Sequence, residues 1–162
     1  MSDKIFDKLS MLHGTWKGKG FAQYPTIEST EYEEVLKFEF DSDYPIIHFE
    51  QKVILVPGNS ASHWESGFIK ETDEGEILMS NAQNNGRTEV LKGKINSEKL
   101  NINILEIEFN SIAFANDSRM IKSKRIFTVN VNKLHYVKFM STTLTEKPQM
   151  LKHIEANLVK VG

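Results

Sequence analysis

The stretch Gly14-Thr15-Trp16-Lys17-Gly18-Lys19-Gly20, which leads on to Tyr24-Pro25-Thr26-Ile27, is the most informative part of the chain. Trp16, Gly18 and Gly20 are two residues apart, so in a β-strand they lie on one face. Glycine weakens a strand, and its repetition on one face is typical of two situations. One is a barrel corner where the chain coils strongly, and the other is a close approach by a ligand or another backbone. The residues alone leave both interpretations open.

Outward from this first strand, the chain alternates between strand-forming segments and turns. The segments are rich in β-branched and aromatic residues, and hairpin-length turns such as Asp41-Ser42-Asp43, Pro57-Gly58-Asn59 and Asn84-Asn85-Gly86 separate them. About ten strands are predicted in this way. They run over Thr15 to Tyr24, Tyr32 to Phe40, Ile46 to Val56, Trp64 to Lys70, Glu76 to Gln83, Glu89 to Ile95, Leu100 to Phe109, Met120 to Val131, Leu134 to Thr143 and Leu151 to Lys160.

Only the first dozen residues have a helical period. Ile5, Leu9 and Leu12 lie at i, i+4 and i+7, and Gly14 is a suitable stop for a short helix. Ten antiparallel strands have too many edges for one open sheet, which favours closure. We therefore predict an all-β, up-and-down antiparallel β-barrel of the lipocalin or fatty-acid-binding type, with a short N-terminal helix. A barrel of that width encloses a cavity, which points to a small-molecule ligand.

Composition narrows the class of protein. The 162 residues suit one domain over residues 1–162, and 20 basic against 22 acidic residues give a net charge of −2. That balance argues against a nucleic-acid partner. The absence of cysteine excludes disulfides, cysteine-ligated metal, a catalytic thiol and thioether-linked haem. The charged start and the lack of a long apolar run lead us to expect a cytoplasmic protein that does not span a membrane.

The segment from Gly14 to Ile27 resembles the opening motif of the nitrobindin family, G-x-W-x-G-x-G-x-G-x-Y-P-T-I, with Ala22 in place of the third barrel glycine. Further motifs follow in the family's order, and together they cover the chain from about Leu9 to Val161. They are Tyr32-x-Glu34, the run from His63 to Lys70, Ala82-Gln83-Asn84-x-Gly86-x-x-Glu89-Val90, Arg125-x-Phe127, Met140-Ser141-Thr142 and His153-x-x-Ala156-x-Leu158.

The resemblance implies a ten-stranded barrel that holds a ferric, non-covalent haem b, with His153 as the axial ligand of the iron. It implies nitric oxide binding and isomerisation of peroxynitrite to nitrate, in which the iron acts as the electrophile. His63 and Gln83 match positions that line the cavity on the side of the porphyrin away from His153. Met140 matches a position that packs against the macrocycle, and Thr26 lies in the Y-P-T-I segment that approaches the haem edge.

Read without the resemblance, each of these residues has an ordinary structural role. His63 and Gln83 fit a polar cross-strand pair, Met140 fits core filling, and Thr26 fits a stiff turn beside Pro25. Strand alternation also raises a difficulty for His153, because Ile154, Ala156 and Leu158 form the apolar face of the last strand and place His153 on the opposite one. Either a bulge intervenes, or His153 precedes the regular part of the strand.

Two other functions remain open at this stage. The barrel could carry a fatty acid or another apolar ligand without haem, since the alternation predicts that Arg125 points inward and could meet a carboxylate. It could also be an interaction domain that has lost haem, with Ala22 as the only hint. An exposed strand would allow a homodimer. The acidic pairs Glu33 with Glu34 and Glu106 with Glu108 are interpreted as solvated strand faces or rim charges rather than catalytic carboxylates.

Overall fold

The computed structural model describes residues 5–41, 43–55, 61–147 and 149–162. A single helical turn, α1 (Ile5–Lys8), continues into a 3-10 turn (Leu9–Leu12), and ten strands follow in the described residues. They are β1 (Gly14–Tyr24), β2 (Ile27–Phe40), β3 (Ile46–Leu55), β4 (Ala61–Glu71), β5 (Ile77–Gln83), β6 (Thr88–Ile95), β7 (Ile104–Ala115), β8 (Met120–Asn130), β9 (Lys133–Thr142) and β10 (Leu151–Lys160).

Each strand pairs in antiparallel fashion with its sequence neighbours, and β10 pairs with β1 to close the barrel. The predicted up-and-down β-barrel is confirmed. No helix among the described residues is long and apolar enough to cross a bilayer. The turn predicted at Pro57-Gly58-Asn59 lies outside the described residues.

Two strands differ from their predicted bounds by more than three residues. β2 begins at Ile27 instead of Tyr32, because the turn at Pro25 and Thr26 leads directly into a polar, exposed strand segment. β7 begins at Ile104 instead of Leu100, because the Asn101 side chain accepts hydrogen bonds from the backbone N–H groups of Asn103 and Ile104 and holds a turn there. The same strand runs on to Ala115, past its predicted end at Phe109.

One end of the barrel is filled by apolar side chains. Leu9 and Leu12 of the helical segment are buried against Trp16, whose indole N–H donates to the Leu12 carbonyl at 2.8 Å. Phe38, Phe109 and many other buried residues complete this core. The helical segment therefore closes this end, and a cavity open to the barrel interior lies toward the other.

The glycines of the first strand permit close approaches within the protein. A Cβ on Gly18 would lie 2.1 Å from the backbone oxygen of Asn157 on β10, and one on Gly20 would lie 2.3 Å from the Tyr32 phenol oxygen. Of the two interpretations of the glycine face, the contacts support close approach by neighbouring protein atoms. The tight fit of β1 against β10 is what closes the barrel.

Candidate functional site

Two adjoining cavities open at the end of the barrel opposite the helical segment. The larger is about 300 Å³ and the smaller about 160 Å³. Ile27, Arg87 and His153 line both, so these three residues stand where the cavities meet. Cavities of a few hundred Å³ are the usual size for small-molecule sites.

His153 lies at a β-bulge. On the β9 side the register shifts between Lys152 and Ile154, so that His153 is the extra residue. On the β1 side the ladder ends at Ala22 opposite Ile154, and β1 is itself irregular against β2 between Ala22 and Tyr24. A bulge re-aims a side chain that strict alternation would send to the other face. Of the two explanations left open by the sequence, the bulge is the correct one.

The His153 ring is held in one orientation. Its Nδ1 lies 2.9 Å from the backbone oxygen of Gln23, and the edge of the ring packs on Tyr24. Because a carbonyl oxygen can only accept, Nδ1 carries the proton, and the neutral ring has its lone pair on Nε2. Burial lowers the pKa of His153, which favours this neutral form. Among the described residues Nε2 makes no hydrogen bond, so it remains available to a metal ion.

The other four predicted site residues lie around the same cavities. His63 on β4 and Gln83 at the end of β5 line the larger one. Thr26, in the turn between β1 and β2, and Met140 on β9 line the smaller one. His153 lines both cavities, so it lies between the two pairs.

The polar atoms of His63 and Gln83 bond to carboxylates rather than to each other. His63 Nε2 is 2.9 Å from Glu65 Oε1. The Gln83 amide nitrogen donates to Asn81 Oδ1 at 3.1 Å and to Glu89 Oε1 at 2.7 Å. Both amide hydrogens are therefore used, and Gln83 keeps its carbonyl oxygen as an acceptor.

A buried ionic layer forms the floor of the larger cavity. Arg125 Nη1 donates to Glu65 Oε2 at 2.8 Å and Lys138 Nζ to Glu65 Oε1 at 3.1 Å, while Arg125 Nη2 reaches Glu89 at 3.4 Å. Burial alone raises the pKa of Glu65, but the charges of Arg125 and Lys138 outweigh it and hold that pKa well below its usual range. The layer is thus a paired set of ions beneath the cavity.

Arg125 points inward, as the alternation predicts, but its guanidinium already has protein partners. Its guanidinium binds Glu65 and Glu89, and both carboxylates are buried. A fatty-acid carboxylate would have to compete with these two partners and would add a third negative charge to the layer. The residue that favoured a fatty-acid carrier therefore offers little to a fatty acid.

The interpretation of Glu34 as a solvated strand residue is wrong. Glu34 is 2 % exposed, and its carboxylate bonds to the Tyr136 hydroxyl and accepts the Gln51 amide N–H at 2.7 Å. Burial is the main reason why the pKa of Glu34 is raised. The Tyr136 hydroxyl also lies 3.3 Å from that of Tyr32, a residue that lines the larger cavity. Its neighbour Glu33 is exposed, as expected.

Three rim residues were not identified from the sequence. Arg87 lies in the turn after β5, and Asp117 and Arg119 lie in the turn before β8. Asp117 accepts from both arginines, at 3.1 Å from Arg87 Nε and 2.9 Å from Arg119 Nε and Nη2. Charged residues in turns are common on any surface, so the pattern held no signal for them. Only the folded chain brings the two turns together at the cavities.

These residues fit the haem that the sequence resemblance implies. A neutral histidine with its other nitrogen bonded to a backbone carbonyl is the usual form of an imidazole ligand. The walls beside it include apolar side chains such as Ile27, Met140 and Leu144, and the rim carries cations. Among the described residues, no cluster of three or more His, Cys, Asp or Glu side chains suits a bare metal ion. A single neutral histidine beside apolar walls is compatible with iron held in a porphyrin.

Comparison with known proteins agrees with this chemistry. A model of the THAP4-like, heme-binding beta-barrel domain matches residues 6–160. Peroxynitrite isomerase Rv2717c of Arabidopsis thaliana is 36 % identical over 146 residues, which cover 90 % of this chain and 84 % of the relative. Peroxynitrite isomerase THAP4 of Rattus norvegicus is 29 % identical over 171 residues, covering 97 % of this chain but only 27 % of that longer protein.

The fold has a counterpart among solved structures. The crystal structure of Rv2717c from M. tuberculosis superposes with a TM-score of 0.86 and covers 100 % of this chain and 99 % of that one, at 21 % identity. The resemblance to haem-binding barrels seen in the sequence is confirmed by the family model. This chain belongs to the family of THAP4-like, heme-binding beta-barrel domains.

Proposed function

We propose that this barrel binds ferric haem b with His153 as the axial ligand, binds nitric oxide, and isomerises peroxynitrite to nitrate. The observation that carries the proposal is the His153 ring between the two cavities, with Nδ1 bonded to Gln23 and Nε2 left with a lone pair. Relatives named peroxynitrite isomerase support the reaction. When bound, the haem supplies an electrophilic iron with one coordination position open to a small molecule.

The protein's contribution is to hold and orient. The Gln23 carbonyl fixes the His153 ring, and the lowered pKa of His153 keeps the ligand nitrogen unprotonated near neutral pH. Met140 and Ile27 would supply apolar contact to a flat macrocycle, and Thr26 lines the same smaller cavity. In this proposal no protein nucleophile is required.

His63 and Gln83 are proposed to orient the small ligand in the larger cavity. Glu65 is ionised and can only accept, so His63 donates to it from Nε2. Nδ1 of His63 makes no hydrogen bond among the described residues. The Gln83 carbonyl oxygen is an acceptor that the two amide hydrogen bonds leave free. Both groups are held by buried carboxylates, which limits their motion when a ligand enters.

The first test is spectroscopic. Purified protein mixed with hemin is expected to develop a Soret band that shifts when nitric oxide is added, and His153→Ala is expected to abolish or weaken that band. His135→Ala is the matched control, because His135 bonds to Glu155 on the outer surface at 2.7 Å and lines neither cavity. A wild-type spectrum equal to that of free hemin would contradict the proposal, whereas unchanged binding by His153→Ala would refute only the ligand assignment.

A second measurement separates an enzyme from a binder. Stopped-flow decay of peroxynitrite in the presence of the haem-loaded protein should be faster than with free hemin at the same concentration, with nitrate as the product. A protein that binds nitric oxide but leaves peroxynitrite decay unchanged is a sensor or scavenger. One domain over residues 1–162, a cytoplasmic location and a homodimer complete the proposal, and limited proteolysis, cell fractionation and light scattering test them.

A further inference from the structure

We infer that Arg87 and Arg119, bridged by Asp117, bind the two propionate carboxylates of the haem at the mouth of the barrel. The inference rests on the proposed haem binding and adds to it the residues that hold the polar edge of the ligand. Haem is an apolar disc with two carboxylates on one side, so a site for it needs an apolar slot that opens onto cations or water.

The three residues, called the rim cluster below, form one bonded unit. Asp117 Oδ2 accepts from Arg87 Nε at 3.1 Å, and Arg119 donates to both oxygens of Asp117 at 2.9 Å. The Arg119 backbone N–H also donates to Asp117, at 3.1 Å, and the Arg119 carbonyl accepts from the backbone N–H of Thr143 at 2.9 Å. The cluster thus ties the turn after β5 to the turn before β8.

The rim cluster carries a net positive charge. Two guanidinium groups share one carboxylate, whose pKa the Arg119 and Arg87 contacts hold far below its usual range. Glu89 is 3.9 Å from Arg87 Nη1, beyond hydrogen-bond distance, and it already accepts from Arg125, Ser123 and Gln83. One net positive charge therefore remains at the rim.

Donor groups are also left over. Among the described residues, the Arg87 terminal nitrogens and Arg119 Nη1 make no hydrogen bond, and a guanidinium can present two parallel N–H groups to a carboxylate. Arg119 is half-exposed, whereas the Arg87 side chain is only 16 % exposed. A propionate bound to Arg87 would consequently be less screened by water and salt than one bound to Arg119. It should therefore contribute more to the free energy of haem binding.

The rim cluster lies where the propionates would emerge. Arg87 lines both cavities beside His153, and Arg119 and Asp117 line the smaller one together with Met140 and Leu144. The apolar walls and the cationic rim therefore meet within one opening. The buried cations Arg125 and Lys138 cannot serve the same purpose, because Glu65 and Glu89 already neutralise them.

The test compares hemin with hemin dimethyl ester, whose propionates are blocked. The rate of haem loss to an excess of a scavenging apo-haem-protein is measured for the wild type, Arg87→Gln and Arg119→Gln. We expect Arg87→Gln to lose hemin about tenfold faster and Arg119→Gln about threefold faster, with little change for the ester. Lys122→Gln removes one charge from the exposed part of β8 outside both cavities and should change neither rate.

The wild type provides a second readout that requires no variant to fold. It should lose the ester faster than hemin, and added salt should accelerate the loss of hemin more than that of the ester. If Arg87→Gln accelerated the loss of hemin and of its ester equally, the rim cluster would only hold the two turns together, and the inference would be wrong. No acceleration of hemin loss would also overturn it. Both outcomes leave haem binding through His153 intact, whereas a wild type without a Soret band refutes the proposed function and this inference together.

Discussion

The Nδ1 atom of His153 donates to the backbone oxygen of Gln23 at 2.9 Å, across the seam where the last strand meets the first. Ala22 opposite Ile154 is the last regular pair, so Gln23 and His153 occupy the next register position. There a side chain replaces the backbone N–H as the donor. One hydrogen bond thus ends the β-ladder and selects the tautomer of the proposed haem ligand.

We expect His153 to titrate below the ordinary histidine pKa of about 6.5 in the haem-free protein. A base whose pKa is lowered by folding contributes stability that is present above its unfolded pKa and is lost as the pH falls through its folded pKa. NMR titration of the imidazole resonances tests this and should show Nδ1 as the protonated nitrogen. A midpoint at or above the ordinary value would contradict the structure of the site.

Removal of Arg125 should be severely destabilising. Arg125→Met would leave the buried carboxylates of Glu65 and Glu89 short of a cation, which typically reduces the free energy of unfolding by about 3–5 kcal/mol. Urea denaturation measures the loss. Lys122→Met, an exposed change on the same strand, should stay within about 0.5 kcal/mol of the wild type. A loss below about 1 kcal/mol for Arg125→Met would mean that the layer is hydrated or its carboxylates are neutral.

Glu34→Gln should stabilise the protein progressively as the pH rises. The raised pKa of Glu34 means that its neutral form favours folding at low pH, and that this contribution is lost as the pH rises through the folded pKa. A glutamine cannot ionise and therefore avoids that loss. The free energy of unfolding is measured for both proteins at several pH values. The value for the variant minus that for the wild type should increase as the pH rises.

Glu33→Gln is the matched control for Glu34→Gln, since Glu33 lies one residue earlier on the outer face of β2. It removes the same kind of charge from an exposed site, so the comparison of the two variants isolates the effect of burial. Parallel behaviour of the two variants would show that burial does not govern the titration of Glu34.

Gly18→Ala should weaken the closure of the barrel. The new Cβ would lie 2.1 Å from the Asn157 oxygen and 2.8 Å from the Leu158 Cα, both of which are backbone atoms of β10. Backbone cannot rotate away as a side chain can, so we expect a loss at the upper end of the range for overpacking, about 3 kcal/mol. Thermal or urea unfolding measures it against Lys19→Ala, an exposed change on the same strand that should have little effect.

Alternation and turn residues predicted the order of the strands and the closed barrel because they report local geometry. β10 has the predicted bounds, Leu151 to Lys160. The bounds failed where a side chain rather than the pattern set the turn, as Asn101 does ahead of β7. Such contacts depend on the path of the backbone, which a pattern of apolar and polar residues does not record.

Of the candidate site, the sequence could supply the residues but not their arrangement. The placement of His153 depends on a bulge that adds one residue to β10, and alternation by itself predicts the wrong face. Glu34 was misjudged because a glutamate in a strand is usually solvated, whereas here Tyr136 and Gln51 satisfy it inside the barrel. The rim cluster joins residues about thirty positions apart, which become neighbours because β6 pairs with β7 so that Thr88 lies opposite Ala115.

The pairing of β1 with β10 also has a consequence for how the protein is made. Gln23 and His153 are 130 residues apart, so the proposed ligand geometry arises only when the first and last strands pair. Contacts of such long range are among the last to form as a chain folds. Haem that requires this geometry would bind the closed barrel and not earlier intermediates, and would stabilise it by mass action. Haem binding would then select those molecules in which the barrel has closed.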